Sequence, residues 1–240
     1  MSRRLAIIGM GKMGRAVAEL APDRGWDVVA RLDAPHVAAG ITKHTLAGAD
    51  VAIEFTVPSA APANIRAVVA AGCPIVVGTT GWYDQLPAIT NEVRAVGGAL
   101  LAAANFSLGV NVFEQVVELA ARLLGRVQAF DAQLIETHHA AKKDAPSGTA
   151  LMLGRTASAA WGRDGEIPIA SVRTGSVPGT HEVVFDAPFE QIHLEHIARD
   201  RRVFAEGALV GAAWLMGRQA REGGVFTMRD VLATSSDERS

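Results

Sequence analysis

The chain has 240 residues, 49% of them hydrophobic and 20% charged, enough apolar mass for one large core or two modest ones. A net charge of -2 gives no basic footprint for nucleic acid, and the single cysteine, Cys73, excludes an internal disulfide framework and fits a reducing compartment. No stretch reaches the roughly 18 apolar residues of a membrane helix. The apolar run after Met1-Ser-Arg-Arg is too short for a secretion signal, so a cytoplasmic protein without a membrane partner is expected, and Asn105-Phe-Ser107 is read as a chance glycosylation match.

Arg4-Leu-Ala-Ile-Ile predicts a strand, the run Gly9, Met10, Gly11, Lys12, Met13, Gly14 a glycine turn, and Arg15-Ala-Val-Ala-Glu-Leu-Ala a helix. A second strand, Asp27-Val-Val-Ala-Arg-Leu, ends at Asp33, 19 residues beyond Gly14. Strand, glycine turn, helix, strand and acid in this order form the dinucleotide-binding fingerprint. Gly9 serves the tight turn, Gly11 the approach of the pyrophosphate, Gly14 the packing of helix on strand, and Asp33 the ribose hydroxyls. An acid there repels a 2′-phosphate, and the next residue is Ala34, so NADH is the expected cofactor. NADPH stays possible through Arg31, two residues earlier.

Further on, Val51-Ala-Ile-Glu-Phe-Thr and Pro74-Ile-Val-Val-Gly read as strands, separated by a helix from Pro58 that Gly72 closes. Cys73 lies between them as a buried or strand-edge residue. A helix around Leu86–Val96 and the run Ala99-Leu-Leu-Ala-Ala-Ala continue the alternation, which argues a parallel sheet covered on both faces. Ligands bind outside the carboxyl ends of such strands. Gly78, Thr79 and Thr80 fall there, as do Ala103, Ala104, Asn105 and Phe106; tight-turn chemistry alone would also account for these residue types. From Val110 to Gly125 the spacing predicts an amphipathic helix with Val112, Val116, Leu119 and Leu123 on one face.

Next comes Glu136-Thr-His-His-Ala-Ala-Lys-Lys-Asp-Ala-Pro-Ser-Gly-Thr-Ala150, between a predicted strand (Ala132-Gln-Leu-Ile-Glu) and a predicted helix from Ala150. Ser147 or Thr149 is a candidate N-cap, and the amides around Gly148 would face a bound anion. A carboxylate held there would meet Lys142 beside a histidine able to move a proton. A solvated loop would also contain such pairs of histidines and lysines.

Three strands follow, around Ala170–Thr174, His181–Asp186 and Gln191–Ala198, no longer alternating with helices. They predict a second, α+β domain with an open mixed sheet. Within the last strand, His193-Leu-Glu-His196 cannot converge on a metal, because alternation puts His193 and Glu195 on one face and His196 on the other. A helix around Phe204–Gly217 and the run Gly223–Leu232 close the chain, and residues 235–240 are expected to fray. The division expected is residues 1–107 with 202–240 for the dinucleotide and 108–201 for substrate and assembly.

The run His138-His139-x-x-Lys142-x-Asp144-Ala-Pro-Ser-Gly-Thr149-Ala resembles the signature of the dihydrodipicolinate reductase family, and similarity extends over nearly the whole chain. The resemblance implies reduction of a small cyclic dicarboxylate in diaminopimelate and lysine synthesis. It further implies His138 as general acid, Lys142 as a second proton donor, and His139, Ser147, Gly148 and Thr149 as carboxylate ligands. Asp144 would orient or cap. Arg201 would approach the substrate or make a surface pair, and the second domain's sheet would build a homotetramer. The glycine loop is one residue shorter than the commoner family pattern, and the basic residue often found after the acid is absent at Ala34. A nicotinamide sensor, or a dehydrogenase acting on an amino acid, is the alternative. The features that discriminate are His138 and Lys142 beside Ser147-Gly148-Thr149, which a pure sensor would not need.

Overall fold

The computed structural model describes residues 2–38, 40–162, 164–219 and 223–237. The chain opens as β1 (Arg3–Ile8), α1 (Lys12–Leu20), β2 (Trp26–Leu32), α2 (Ala34–Ala38), β3 (Val51–Glu54), α3 (Ala61–Ala70), β4 (Ile75–Val77), α4 (Leu86–Ala95) and β5 (Ala99–Ala102). It continues through α5 (Leu108–Leu124), β6 (Asp131–His138), α6 (Gly148–Trp161), β7 (Ile169–Arg173), β8 (Gly179–Ala187) and β9 (Glu190–Ala198). It closes with α7 (Arg202–Gln219), β10 (Gly224–Phe226) and α8 (Met228–Asp237). Two compact units result, Met1–Leu108 with Arg202–Ser240, and Gly109–Arg201.

The first unit is a parallel sheet in the order β10-β5-β4-β3-β1-β2. Its middle strands are short apolar runs because both faces are covered. Ala52, Ile75 and Val77 pack with Ile65 and Val68 of α3 and Ile89 and Val93 of α4. Leu5, Ile7, Ile53 and Leu101 turn to the other face, under Val17 of α1 and Ala208, Ala212 and Leu215 of α7. Glycine is required where β1 ends: Gly9 has φ +90°, and a Cβ there would lie 2.2 Å from the Phe55 carbonyl oxygen. Cys73 is buried, and burial pushes its thiol up to about 12, which suits packing and not nucleophilic chemistry.

The second unit is a four-stranded mixed sheet, β7-β6-β8-β9, with β6 and β7 parallel and the other pairs antiparallel. The sequence expectation of a Rossmann-type sheet plus a mixed-sheet domain is met. One face of the mixed sheet packs Leu134, Val183 and Phe185 against Phe113 and Val117 of α5 and Leu153, Ala157 and Trp161 of α6.

Three details depart from the sequence reading. Val112, Val116, Leu119 and Leu123 do share a face of α5, but it is the exposed one; Val110, Phe113, Val117 and Ala121 form the buried face. The helix is apolar on both sides, so periodicity alone could not choose between them. Residues 235–237 are helical, at the end of α8, while 238–240 lie outside the described residues. A short helix, α2, starts directly after Asp33, whose carbonyl accepts the amides of His36 and Val37 at 2.8 and 3.0 Å. No described helix is long and apolar enough to cross a membrane.

Candidate active site

Strand β6 carries the core and the site on one face. Ala132 and Leu134 pack in the core, and two and four residues later the same face presents Glu136 and His138, 0% and 8% exposed. Register brings partners from the flanking strands. Glu136 pairs with Ser171 of β7 and His181 of β8, and His138 pairs with Arg173. His181 is itself 4% exposed and pairs with His196 of β9. A polar row therefore crosses the inner face where the apolar core ends.

The Glu136 carboxylate is the hub. Arg173 Nη2 donates to its Oε1 at 2.6 Å and to the Asp144 carbonyl at 2.6 Å, and the Ser147 amide donates to Oε1 at 3.2 Å. Its other oxygen meets His138 Nδ1. Burial alone would raise the Glu136 pKa, but bonds from Arg173 and Ser171, with the charge of His138 and the Ser147 amide, hold it at about 2. Burial pushes His138 below the ordinary histidine value, Glu136 pulls it back, and Lys142 and Arg173 add to the lowering. Burial also takes His181 to about 4. The two imidazoles meet edge to face with centroids 5.2 Å apart. Glu136, His138 and His181 bring ligand-type atoms within 4.8 Å of one another, yet Arg173 already occupies one carboxylate oxygen.

The loop after β6 returns over this row. Lys142 Nζ binds the Asp144 carboxylate at 2.9 Å, and Ser147, not Thr149, caps α6, accepting the Ala150 amide at 3.1 Å. The same hydroxyl lies 3.3 Å from His181 Nε2. Gly148 is exposed with nothing within 4 Å of where a Cβ would stand, which leaves the start of α6 open to a ligand. Gly179 closes the other side: a Cβ there would be 3.0 Å from His138 Nε2. His139 is half-buried in the loop. Arg201 is exposed at the last position of this unit and takes no part in the cluster's described hydrogen bonds.

The first unit holds a separate cleft of about 340 Å³, lined by Gly11, Lys12, Met13, Phe55, Thr56, Pro58, Gly78, Thr79 and Thr80. Gly11 precedes α1 with no side-chain cap and open space where its Cβ would be. A Cβ at Gly14 would lie 1.9 Å from the Gly9 carbonyl oxygen, so this glycine lets helix and turn meet. These features fit a dinucleotide pyrophosphate at a helix N-terminus. Asp33 is exposed at the end of β2 and Met10 is packed on the core beside the turn. Ala103, Ala104 and Asn105 follow β5, whereas Phe106 is 2% exposed, its ring edge to face with Phe55. The Phe106 side chain thus serves packing.

Family models for the dihydrodipicolinate reductase N-terminus and C-terminus match residues 3–106 and 109–232. The chain belongs to the dihydrodipicolinate reductase family. It is 36% identical over 241 residues to the 4-hydroxy-tetrahydrodipicolinate reductase of Christiangramia forsetii, covering 95% of this chain and 97% of that one. It is 37% identical over 270 residues to the enzyme of the same name from Rhodopseudomonas palustris, covering 95% and 96%. A dipicolinate-bound dihydrodipicolinate reductase from Paenisporosarcina shares the fold at 22% identity and a TM-score of 0.75, over 95% of this chain and 98% of that one.

Sequence reasoning missed Ser171, Arg173, Gly179 and His181, and it took Glu136 only as a strand end. Its one available signal was the alternation of Glu136 and His138 on a strand that is otherwise apolar on that face.

Proposed function

We propose that the chain catalyses the NAD(P)H-dependent reduction of 4-hydroxy-tetrahydrodipicolinate to tetrahydrodipicolinate in diaminopimelate and lysine synthesis. The observation that carries this reading is the second unit's site, where a buried Glu136–His138 pair lies on the strand leading into Lys142 and the capped start of α6. In the first unit, the Gly9–Gly14 turn with Lys12 would hold the pyrophosphate and Asp33 the ribose. Gly78–Thr80 and residues 103–105 would serve the nicotinamide side. When bound, the nicotinamide supplies the hydride.

The chain's own residues position the substrate and move protons. Glu136 takes the Nδ1 edge of His138, which leaves Nε2 to give a proton to the ring carbon beside the one reduced. Arg173 keeps Glu136 ionised, so the carboxylate orients the imidazole and supports its charged form. Lys142 is the second proton donor and Asp144 orients it. His139, Ser147, Gly148 and Thr149 hold a carboxylate at the start of α6, where backbone dipoles favour an anion. The dipicolinate bound by the Paenisporosarcina relative supports a small dicarboxylate as ligand.

NADH is the preferred cofactor on this reading. A 2′-phosphate would stand near Asp33 with alanine at position 34, losing a charge-assisted bond of about 1.5–3 kcal/mol, roughly tenfold or more in affinity. The outer face of the second unit's sheet supports assembly into a homotetramer. Val172, Thr137, Thr180 and Ile197 form one cross-strand row there, and Val172 and Ile197 are 43% and 57% exposed.

The test follows oxidation of NADH and NADPH, side by side, with the condensation product of pyruvate and aspartate semialdehyde. Higher kcat/KM with NADH is expected, and Ala34→Arg should improve NADPH while leaving NADH within a few fold. Oxidation of neither cofactor refutes the reductase. Better use of NADPH, reversed by Arg31→Ala, refutes the preference and makes Arg31 the phosphate reader.

A further inference from the structure

One buried acid in the first unit has no part in the chemistry above. Glu54 ends β3, between the last residues of β1 and β4, and is 0% exposed. Its described hydrogen-bond partners are Thr56 and Asn64, neither of them cationic. Asn64 Nδ2 lies 3.4 Å from Glu54 Oε1 and 3.3 Å from Thr56 Oγ1, and the Thr56 amide donates to Thr79 Oγ1 at 2.7 Å. The second carboxyl oxygen, Oε2, is buried without a partner among the described residues. A fully buried strand-end position would ordinarily take an aliphatic residue, since a buried carboxyl without a cation costs free energy.

What the carboxyl holds explains its presence. Thr56 belongs to the loop after β3 and Thr79 to the loop after β4, and both line the 340 Å³ cleft with Gly11 and Lys12. The loops are closely fitted there: a Cβ at Gly78 would fall 1.9 Å from the Phe55 ring. We propose that Glu54 is a positioning residue of the cofactor cleft: it fixes the Thr56 hydroxyl in the loop after β3, and the Thr56 amide in turn holds the Thr79 hydroxyl in the loop after β4. It acts from beneath, through threonines that line the cleft.

Burial raises the Glu54 pKa above the ordinary carboxyl value, and its hydrogen-bond partners only partly offset that. Glutamine keeps an accepting oxygen at the same reach for Thr56 and Asn64, so it should preserve the tie, and an apolar residue should not.

The inference rests on the cleft being the dinucleotide site, and direct titration of the purified full chain with NADH, read by fluorescence, separates the two. If the wild-type chain does not bind NADH, the cofactor reading itself falls. Otherwise Glu54→Gln should keep the Kd within about twofold, while Glu54→Leu should raise it about tenfold with dipicolinate affinity unchanged. Equal NADH affinity in Glu54→Leu and wild type overturns the proposal. So does an equal loss in both variants, which would show that the charge, not the hydrogen bonds, matters. Where Glu54→Leu does not fold, Thr56→Val removes the linking hydroxyl while keeping its shape. It should raise the Kd by a similar factor, and an unchanged Kd there is equally fatal.

Discussion

The proton transfer proposed for His138 would rest on a balance that its neighbours set. Burial and the cations Lys142 and Arg173 favour the neutral ring, and Glu136 favours the charged one. A general acid works in its protonated form, so turnover should fall as pH rises through the His138 pKa in the complex. Glu136→Gln removes the group that raises that pKa, and the alkaline limb of the kcat/KM profile should move to lower pH. His138→Gln should lower kcat by about 10²–10⁴ with little change in KM. A rise in KM alone would make His138 a binding residue. An alkaline limb unmoved in Glu136→Gln would remove the carboxylate from proton transfer.

At the level of strands and helices, β6 decides both what is legible in the sequence and what is not. The contiguous elements of the site could be read directly: the glycine turn between β1 and α1, the acid after β2, and His138 to Thr149 between β6 and α6. Each depends on residues close along the chain. Arg173 and His181 arrive instead by register, across a parallel and an antiparallel partner, and nothing local to Arg173-Thr-Gly or Thr-His181-Glu announces it. The same register lays out the outer face, where the row from Val172 to Ile197 is β-branched throughout. An aspartate there is harmless to a monomer and costly in a buried interface. Ile197→Asp should thus convert a tetramer to smaller species in sedimentation while the circular dichroism stays unchanged. A wild-type chain that sediments as a monomer would remove the assembly.

For the molecule as a whole, the buried ionisable groups give the two units different responses to acid. The folded pKa of His181, about 4, lies below the ordinary 6.5, so the stability it contributes is present above 6.5 and is lost as pH falls toward 4. Glu136, at about 2 against 4.5, contributes stability above 4.5 that is lost as pH falls toward 2. Each loss is on the order of 1–3 kcal/mol. Glu54 has the opposite sign: its raised pKa means that stability falls as pH rises above 4.5. Hydrogen exchange at pH 7 and pH 4.5 should show β6 and β8 losing protection on acidification while β3 and β4 do not. Earlier loss in β3 and β4 would contradict the assignment of charge in both units.

The placement of α7 and β10 also matters before the protein is complete. One face of the parallel sheet, with Leu5, Ile7, Ile53 and Leu101, is covered by Ala205, Ala208, Leu209, Ala212 and Leu215, and by Met228 and Val231 of α8. On a ribosome, the chain from Gly109 to Arg201 emerges before any of that cover. At about 5–20 residues per second, the interval from Leu101 to Leu215 lasts roughly 6–23 seconds, during which the part of that face not covered by α1 lies open to solvent or to a chaperone. The inserted unit has all of its own strands and helices within that interval. Vectorial synthesis therefore lets the portion begun second finish first, and the first unit waits on the segment from Arg202 onward.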